Sequence, residues 1–138
     1  MSLFEWKAEY SVGRTEIDFQ HKQIFRMAGE LHGAMVNGRG SDVVEALLDK
    51  VVAYTRHHFA SEERLMKESE YPGYEKHQAD HEKLAVQIAE FQEKIKDRKV
   101  AVALELMRFL RDWLDHHIHG ADMRLGVYLK SRLAASVR

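Results

Sequence analysis

The residues of this chain best suited to chemistry are its nine histidines. In the stretch DHHIHGAD at 115–122, His116, His117 and His119 fall between Asp115 and Asp122. Elsewhere the spacing is helical: His58 and Glu62 are four residues apart, and so are His77 and His81. Residues four apart lie one above the other on a helix face, so each pair can present two ligands to one centre. Neutral imidazole and carboxylate together suit several transition metals. A single His-x3-His on a helix is usually a surface coincidence, and a single core histidine is more often hydrogen-bonded than metal-bound. The chemistry therefore depends on whether these pairs act together.

That depends on the elements that carry them. The chain has one proline, Pro72, and no clear strand alternation. Apolar residues recur at spacings of three and four, the helical signature. The pattern predicts four helices, over about 18–37, 42–68, 73–97 and 99–119. The cluster Asn37-Gly38-Arg39-Gly40-Ser41 reads as a turn, and Asp42 with Glu45 reads as a cap for the second helix. Tyr71-Pro72-Gly73 separates the second helix from the third, and Lys96-Asp97-Arg98-Lys99 forms a charged link before the fourth. Gly120 is expected to end the fourth helix. Residues 1–17 then form an N-terminal arm, and 121–138 a tail with a further helical turn or two. Short links make neighbours antiparallel. The expectation is an all-α, up-down-up-down antiparallel four-helix bundle with a short C-terminal helical tail, a single domain spanning 1–138.

Each helix carries one inward seam. The seams run His21, Ile24, Ala28, Leu31, Met35; Val44, Leu48, Val51, Thr55, His58, Glu62, Leu65; His77, His81, Leu84, Ile88, Phe91, Ile95; and Ala103, Leu106, Leu110, Trp113, His117. The polar members lie at the start of the first helix, the end of the second, the start of the third and the end of the fourth. In an up-down-up-down bundle those four places share one end. Five imidazoles and a carboxylate should converge there, while the opposite end stays apolar. Burying so many polar groups unpaired would cost several kcal/mol. Metal is the economical explanation, and five histidines with carboxylates suit two ions. His32, His57, His116 and His119 fall off the seams or on their edges, and read as solvent-facing or as outer partners.

At this point the residues resemble the hemerythrin family. The likeness runs along the whole chain: Trp6 and Val12-Gly13 in the arm, IDFQH at 17–21, HFASEERLM at 58–66, YPGYEKHQADH at 71–81 and WLDHHIHGAD at 113–122. It is nearest to the single-domain bacterial members, with no departure at a ligand position. The resemblance implies a non-heme pair of iron ions joined by an oxo or hydroxo bridge. It implies His77, His81 and His117 on one iron, His21 and His58 on the other, and Glu62 and Asp122 bridging both. The two-histidine iron would keep an open position for dioxygen, bound reversibly for storage, delivery or sensing. Ile24, Phe59, Trp113, Leu114 and Ile118 are the expected apolar pocket. Asp18, Asp80 and Asp115 are the expected acceptors for the imidazoles' outer N–H groups. The same resemblance implies an oxygen-binding protein, not an enzyme, with an oxygen-consuming enzyme as recipient.

Composition bounds the alternatives. With 21 basic and 22 acidic residues the net charge is −1, which offers nothing to nucleic acid. No cysteine is present, so thiolate zinc sites and iron–sulfur clusters are excluded. No apolar run approaches the ~20 residues of a membrane span, and MSLFEWKAEY lacks signal-peptide organisation. A cytoplasmic monomer is expected. A ferritin-like oxidase would carry Glu-x-x-His motifs, and no histidine here has glutamate three residues before it. A zinc hydrolase would show His-Glu-x-x-His, also absent. A sensor usually carries an output domain, for which these residues leave no room. An enzyme handling peroxide or nitric oxide, or an iron-handling protein, remains an alternative on the same scaffold. One backbone expectation follows from the last motif. The seam reaches His117 in register, but the next residues in step are Gly120 and Ala121, so Asp122 overshoots a normal turn by one. The spacing predicts a local π-type widening there, or a helix end that re-aims Asp122.

Overall fold

A computed structural model describes the backbone of residues 4–38 and 41–137, and the side chains of 4–38, 43–94 and 104–132. The arm holds a single 3-10 turn, Ala8–Tyr10, and leads into α1 (Thr15–Val36). Then come α2 (Ser41–Glu68) and α3 (Tyr74–His117), a π-helical segment Ile118–Asp122, and α4 (Met123–Val137). The helix α1 starts three residues earlier than its apolar period suggested. In that first turn the Asp18 carboxylate accepts from the Val12 backbone N–H at 2.9 Å and from Ser11 Oγ at 2.5 Å, tying the arm to the helix. The expected cap by Asp42 lies outside the described side chains.

Helical hydrogen bonding continues from Tyr74 to His117, where the sequence suggested two helices and a charged link. The chain nevertheless reverses within α3. A straight helix would separate His77 from His117 by ~60 Å, yet their Nε2 atoms lie 3.1 Å apart. The rings of Phe91 and Phe109 also pack, with centroids 5.5 Å apart, so the reversal falls between them. Residues 91–109 contain no glycine or proline to interrupt helical hydrogen bonding. The two limbs of α3 count as two rods, and with α1 and α2 they complete an antiparallel four-helix bundle.

The inward seams are buried as their spacing requires. Every member on α1 is buried, as are Val44 to Glu62 on α2, His77 to Ile88 on the outgoing limb, and Leu106, Leu110 and His117 on the return. Each fully buried Leu or Ile stabilises by roughly 1.5–3 kcal/mol. Leu65, Phe91 and Trp113 are only half-buried, and beside Leu65 its neighbour Met66 fills the core instead. Thr55 meets its burial by donating to the Val51 carbonyl at 2.8 Å. The seam residues Ile95 and Ala103 lie outside the described side chains.

The stop of the second helix falls where expected, and that of the fourth does not. The helix α2 closes with a paired C-terminal bond pattern, Tyr71 N–H to Met66 O and Glu70 N–H to Lys67 O, which places Glu70 at φ 55°. Glycine usually fills that position; here the Tyr128 hydroxyl fastens the turn by donating to Ser69 O at 2.6 Å. Gly120 does not end the fourth rod. It sits inside the π-helical segment, and the helix runs on into α4. The π widening predicted from the His117–Asp122 spacing is present. Among the described residues no helix is long and apolar enough to cross a membrane.

Candidate metal centre

Seven side chains converge at one end of the bundle. His21 comes from the second turn of α1, and His58 and Glu62 from the last third of α2. His77 and His81 come from the first turns of α3, His117 from its last residue, and Asp122 from the end of the π-helical segment. All seven are buried, with exposures from 1% to 6%. Their donor atoms form two overlapping groups: Glu62, His77, His81, His117 and Asp122 in one; His21, His58, Glu62 and Asp122 in the other. The two carboxylates belong to both. An α-helical turn spans four residues; the five-residue π step between His117 and Asp122 keeps both on the inner face.

The separations are those of ligands around cations. His21 Nε2 lies 3.0 Å from Asp122 Oδ2, and His58 Nε2 lies 3.1 Å from Glu62 Oε2. His77 Nε2 lies 2.6 Å from Glu62 Oε1 and 3.0 Å from Asp122 Oδ1. His117 Nε2 lies 3.2 Å from Asp122 Oδ1, and His81 Nε2 lies 3.5 Å from Glu62 Oε1. An ion ~2.1 Å from each donor with ligands at right angles sets them ~3.0 Å apart. Hydrogen bonding does not account for the pattern. The one in-plane position on His77 Nε2 cannot serve His117, Glu62 and Asp122 at once. Both oxygens of Glu62 and of Asp122, with His81 Nε2, lack an aligned hydrogen bond. Among the described residues only the Trp6 indole shares that state outside the cluster. Five nitrogen donors with two shared carboxylates therefore fit a pair of transition-metal ions.

Two outer contacts fix imidazole tautomers. His58 Nδ1–H donates to Gln20 Oε1 at 2.6 Å, and Gln20 is itself held by Ser61 through Nε2 to Oγ at 3.2 Å. His81 Nδ1–H donates to Glu63 Oε2 at 3.1 Å. Both rings then turn an unprotonated Nε2 inward, as metal binding requires. Gln20 and Glu63 were missed in sequence, where Asp18, Asp80 and Asp115 stood as acceptors. Asp18 instead caps the arm, and Asp115 accepts from the Tyr10 hydroxyl at 3.0 Å. Asp80 lines an outer cleft of about 520 Å³ beside Lys76, Lys83 and Trp113.

The five expected pocket residues take two positions. Phe59 stacks on His81, centroids 3.8 Å apart and planes 5° apart, and Trp113 stacks on His117 at 4.2 Å and 15°. These two rings wall the three-histidine group. Ile24 follows His21 by one turn, and Leu114 and Ile118 occupy the flank of the return limb opposite Trp113. Those three are almost wholly buried. His57, His116 and His119 are exposed, and His32 is half-buried.

The cluster's charges are mutually dependent without metal. Burial and the Asp122 charge push the Glu62 carboxyl up, but His58 and His77 outweigh them and hold it at about 2. Burial alone would lower His77; Asp122 and Glu62 overcome it and raise the imidazole to about 9. Asp122 is held well below its ordinary value despite burial, chiefly by His117 and His21. A raised imidazole stabilises the fold fully below its ordinary 6.5 and loses that as pH rises through about 9. A depressed carboxyl stabilises fully above 4.5 and loses that as pH falls through about 2. Glu62 and His77 together therefore favour the metal-free fold most between pH 4.5 and 6.5, while His58, whose imidazole is lowered by burial, works against it as pH falls below 6.5. A bound ion needs His77 neutral. The melting advantage of loaded over chelated protein should grow from pH 6.5 to 9, as paired thermal melts would show; a constant gap would contradict the stored proton.

Comparison with known proteins gives a consistent picture. A family model described as the hemerythrin HHE cation binding domain matches residues 12–129. A bacteriohemerythrin of Methylococcus capsulatus is 35% identical over 132 residues, 95% of this chain and 100% of that protein. One from Stenotrophomonas maltophilia is 35% identical over 133 residues, covering 96% and 86%. The crystal structure of a wild-type hemerythrin superposes with a TM-score of 0.83 at 33% identity, covering 91% of this chain and 96% of that one.

Proposed function

This chain belongs to the hemerythrin family, and on that premise we propose that it binds dioxygen reversibly at a pair of iron ions. The observation that carries the reading is the donor set: two overlapping groups of nitrogen donors, three and two, sharing two carboxylates. We assign His77, His81 and His117 to one ion, His21 and His58 to the other, and Glu62 and Asp122 to both. When bound, two ferrous ions would supply the two electrons that dioxygen binding draws on. The difference in histidine count leaves the two-histidine side with room for a further ligand.

The chain's own residues then decide whether binding stays reversible. Only two carboxylates face five neutral imidazoles, so the pocket is less anionic than a carboxylate-rich oxidase site. That favours the reduced state of bound iron. Ile24, Leu114 and Ile118 exclude water from the open side, and with it the protons that would promote irreversible oxidation. Phe59 and Trp113 clamp two rings of the other side by stacking. We infer a single domain over 1–138, with dioxygen as ligand and an oxygen-consuming enzyme as recipient.

The reading is tested by loading the protein with ferrous iron and cycling it between oxygen and vacuum. Two irons per chain and a visible band that appears and bleaches over repeated cycles are expected. Permanent oxidation in the first cycle would favour an enzyme on the same scaffold. Reproducible binding of a single zinc with no iron would overturn the metal assignment as well.

A further inference from the structure

The two outer contacts differ in charge, and they fall one on each side of the centre. Gln20 is a neutral amide and backs His58, of the two-histidine group. Glu63 is a carboxylate and backs His81, of the three-histidine group. Among the described side chains, no other amide or carboxylate oxygen is placed on an outer Nδ1 of the five imidazoles. The Nδ1 atoms of His21 and His77 are buried without a partner. The outer hydrogen-bonding asymmetry, which adds to the three-to-two split in histidines, therefore rests on these two contacts. A carboxylate on Nδ1–H draws the proton away from the ring and makes Nε2 a stronger donor; an amide does so less. The Glu63 side chain is 23% exposed, so its charge is partly screened but not lost.

We propose that Gln20 and Glu63 are positioning residues that widen the inequality already set by the three-to-two histidine count, with the Glu63-backed position the tighter and more easily oxidised. The Gln20-backed position is held more weakly and stays reduced more readily, which is the property a reversible oxygen ligand needs there. This rests on the di-iron reading above for its use, but not for its existence, since any divalent ion should report the inequality. The reciprocal placement matters. If both contacts were carboxylates, the open position would be biased toward the oxidised state; if both were amides, the filled position would lose its stronger hold.

The test is an isosteric exchange. Glu63→Gln keeps a hydrogen-bond acceptor of the same size and removes the charge; Gln20→Glu does the reverse. Metal-free protein is titrated anaerobically with Co²⁺ or Zn²⁺, and the two binding steps are read by competition with a chelator. In the parent, the first equivalent should enter the three-histidine group, shifting the His81 and His117 ring resonances. Glu63→Gln should weaken that first step about tenfold, the lower end of what loss of an outer partner costs. Gln20→Glu should tighten the second step, and the double exchange should narrow the gap between the two steps. With iron, Glu63→Gln should raise the potential, because ferric iron loses more than ferrous when the backing carboxylate is removed; each tenfold excess of that loss reads as 59 mV. A purely structural role for Glu63 predicts no change on Glu63→Gln, because the hydrogen bond survives. Unchanged stepwise affinities and potential in both variants would overturn the proposal. Filling order read with Zn²⁺ is independent of oxygen chemistry, so failure to bind oxygen would leave that result standing and would count only against the function.

Discussion

Asp122→Ala should empty both metal positions, whereas His116→Ala, one residue from a proposed ligand, should leave both filled. Asp122 Oδ2 lies 3.0 Å from His21 Nε2, while Oδ1 lies 3.0 Å from His77 Nε2 and 3.2 Å from His117 Nε2. One side chain thus serves each group, and its loss removes a donor from both. It also removes one of only two anions available to neutralise a pair of divalent ions in a buried site, where uncompensated charge is costly. Retention of either metal should fall by more than the roughly 10–100-fold that attends loss of an outer partner. His117→Ala should be intermediate, weakening the three-histidine position first. His116 is exposed and lines the outer cleft, so its removal should leave metal content near the parent's. Elemental analysis after identical loading and desalting distinguishes the three, with far-ultraviolet circular dichroism confirming helicity. If Asp122→Ala kept one full equivalent, the carboxylate would serve only one ion. Equal loss from His116→Ala and His117→Ala would mean the register of the return limb is misplaced.

That register is legible in the sequence, because it follows from helical periodicity. Stepping three and four from Leu106 through Leu110 and Trp113 arrives at His117, and the same arithmetic brings His21, His58, Glu62, His77 and His81 to the same end. The π-helical segment was readable for the same reason: a ligand spaced five from its partner cannot share an α-helical face. Features decided between rods were not readable. Asp18 and Asp115 are acidic residues close in sequence to His21 and His117, yet the acceptors are Gln20 and Glu63, on other rods from the histidines they support. Which side chain crosses an interface depends on axial offset and rotation, and a single-helix pattern carries neither. Gly120 misled differently. Glycine after an apolar period is a common helix end, but here a Cβ at Gly120 would meet only Arg124, at 3.7 Å. No contact forces the chain out, so the rod continues.

Gly126→Ala should destabilise the fold far more than the same change at Gly120, and Gly33→Ala should stabilise it. A Cβ at Gly126 would stand 2.1 Å from the Val12 carbonyl oxygen and 3.1 Å from Val12 Cβ. The obstacle is backbone, not a side-chain tip that could swing aside, so arm and α4 must separate. The arm is fixed at both ends of that contact: Val12 N–H and Ser11 Oγ are held by Asp18. The Tyr10 ring stacks on Phe25 with centroids 5.1 Å apart, and its hydroxyl donates to Asp115. Forcing the arm off should cost about 3 kcal/mol, the upper part of the usual overpacking range, and lower the melting midpoint by roughly 10 °C. At Gly33 an added Cβ meets nothing within 4 Å, and α1 is regular there. The same substitution should therefore stabilise by roughly 0.5–1 kcal/mol through helix propensity alone. Displacement of the arm has its own signal, because Trp6 packs 6.5 Å from Tyr10 and is half-buried. Its emission should shift to the red in Gly126→Ala, most clearly with Trp113 replaced by phenylalanine. Equal midpoints for the two glycine variants would show that the close approach of Val12 to Gly126 does not hold the arm. Because Asp122 lies one helical turn before Gly126, a loosened arm should also quicken metal loss. A drop in midpoint with metal retention unchanged would instead separate the arm's anchoring from the centre.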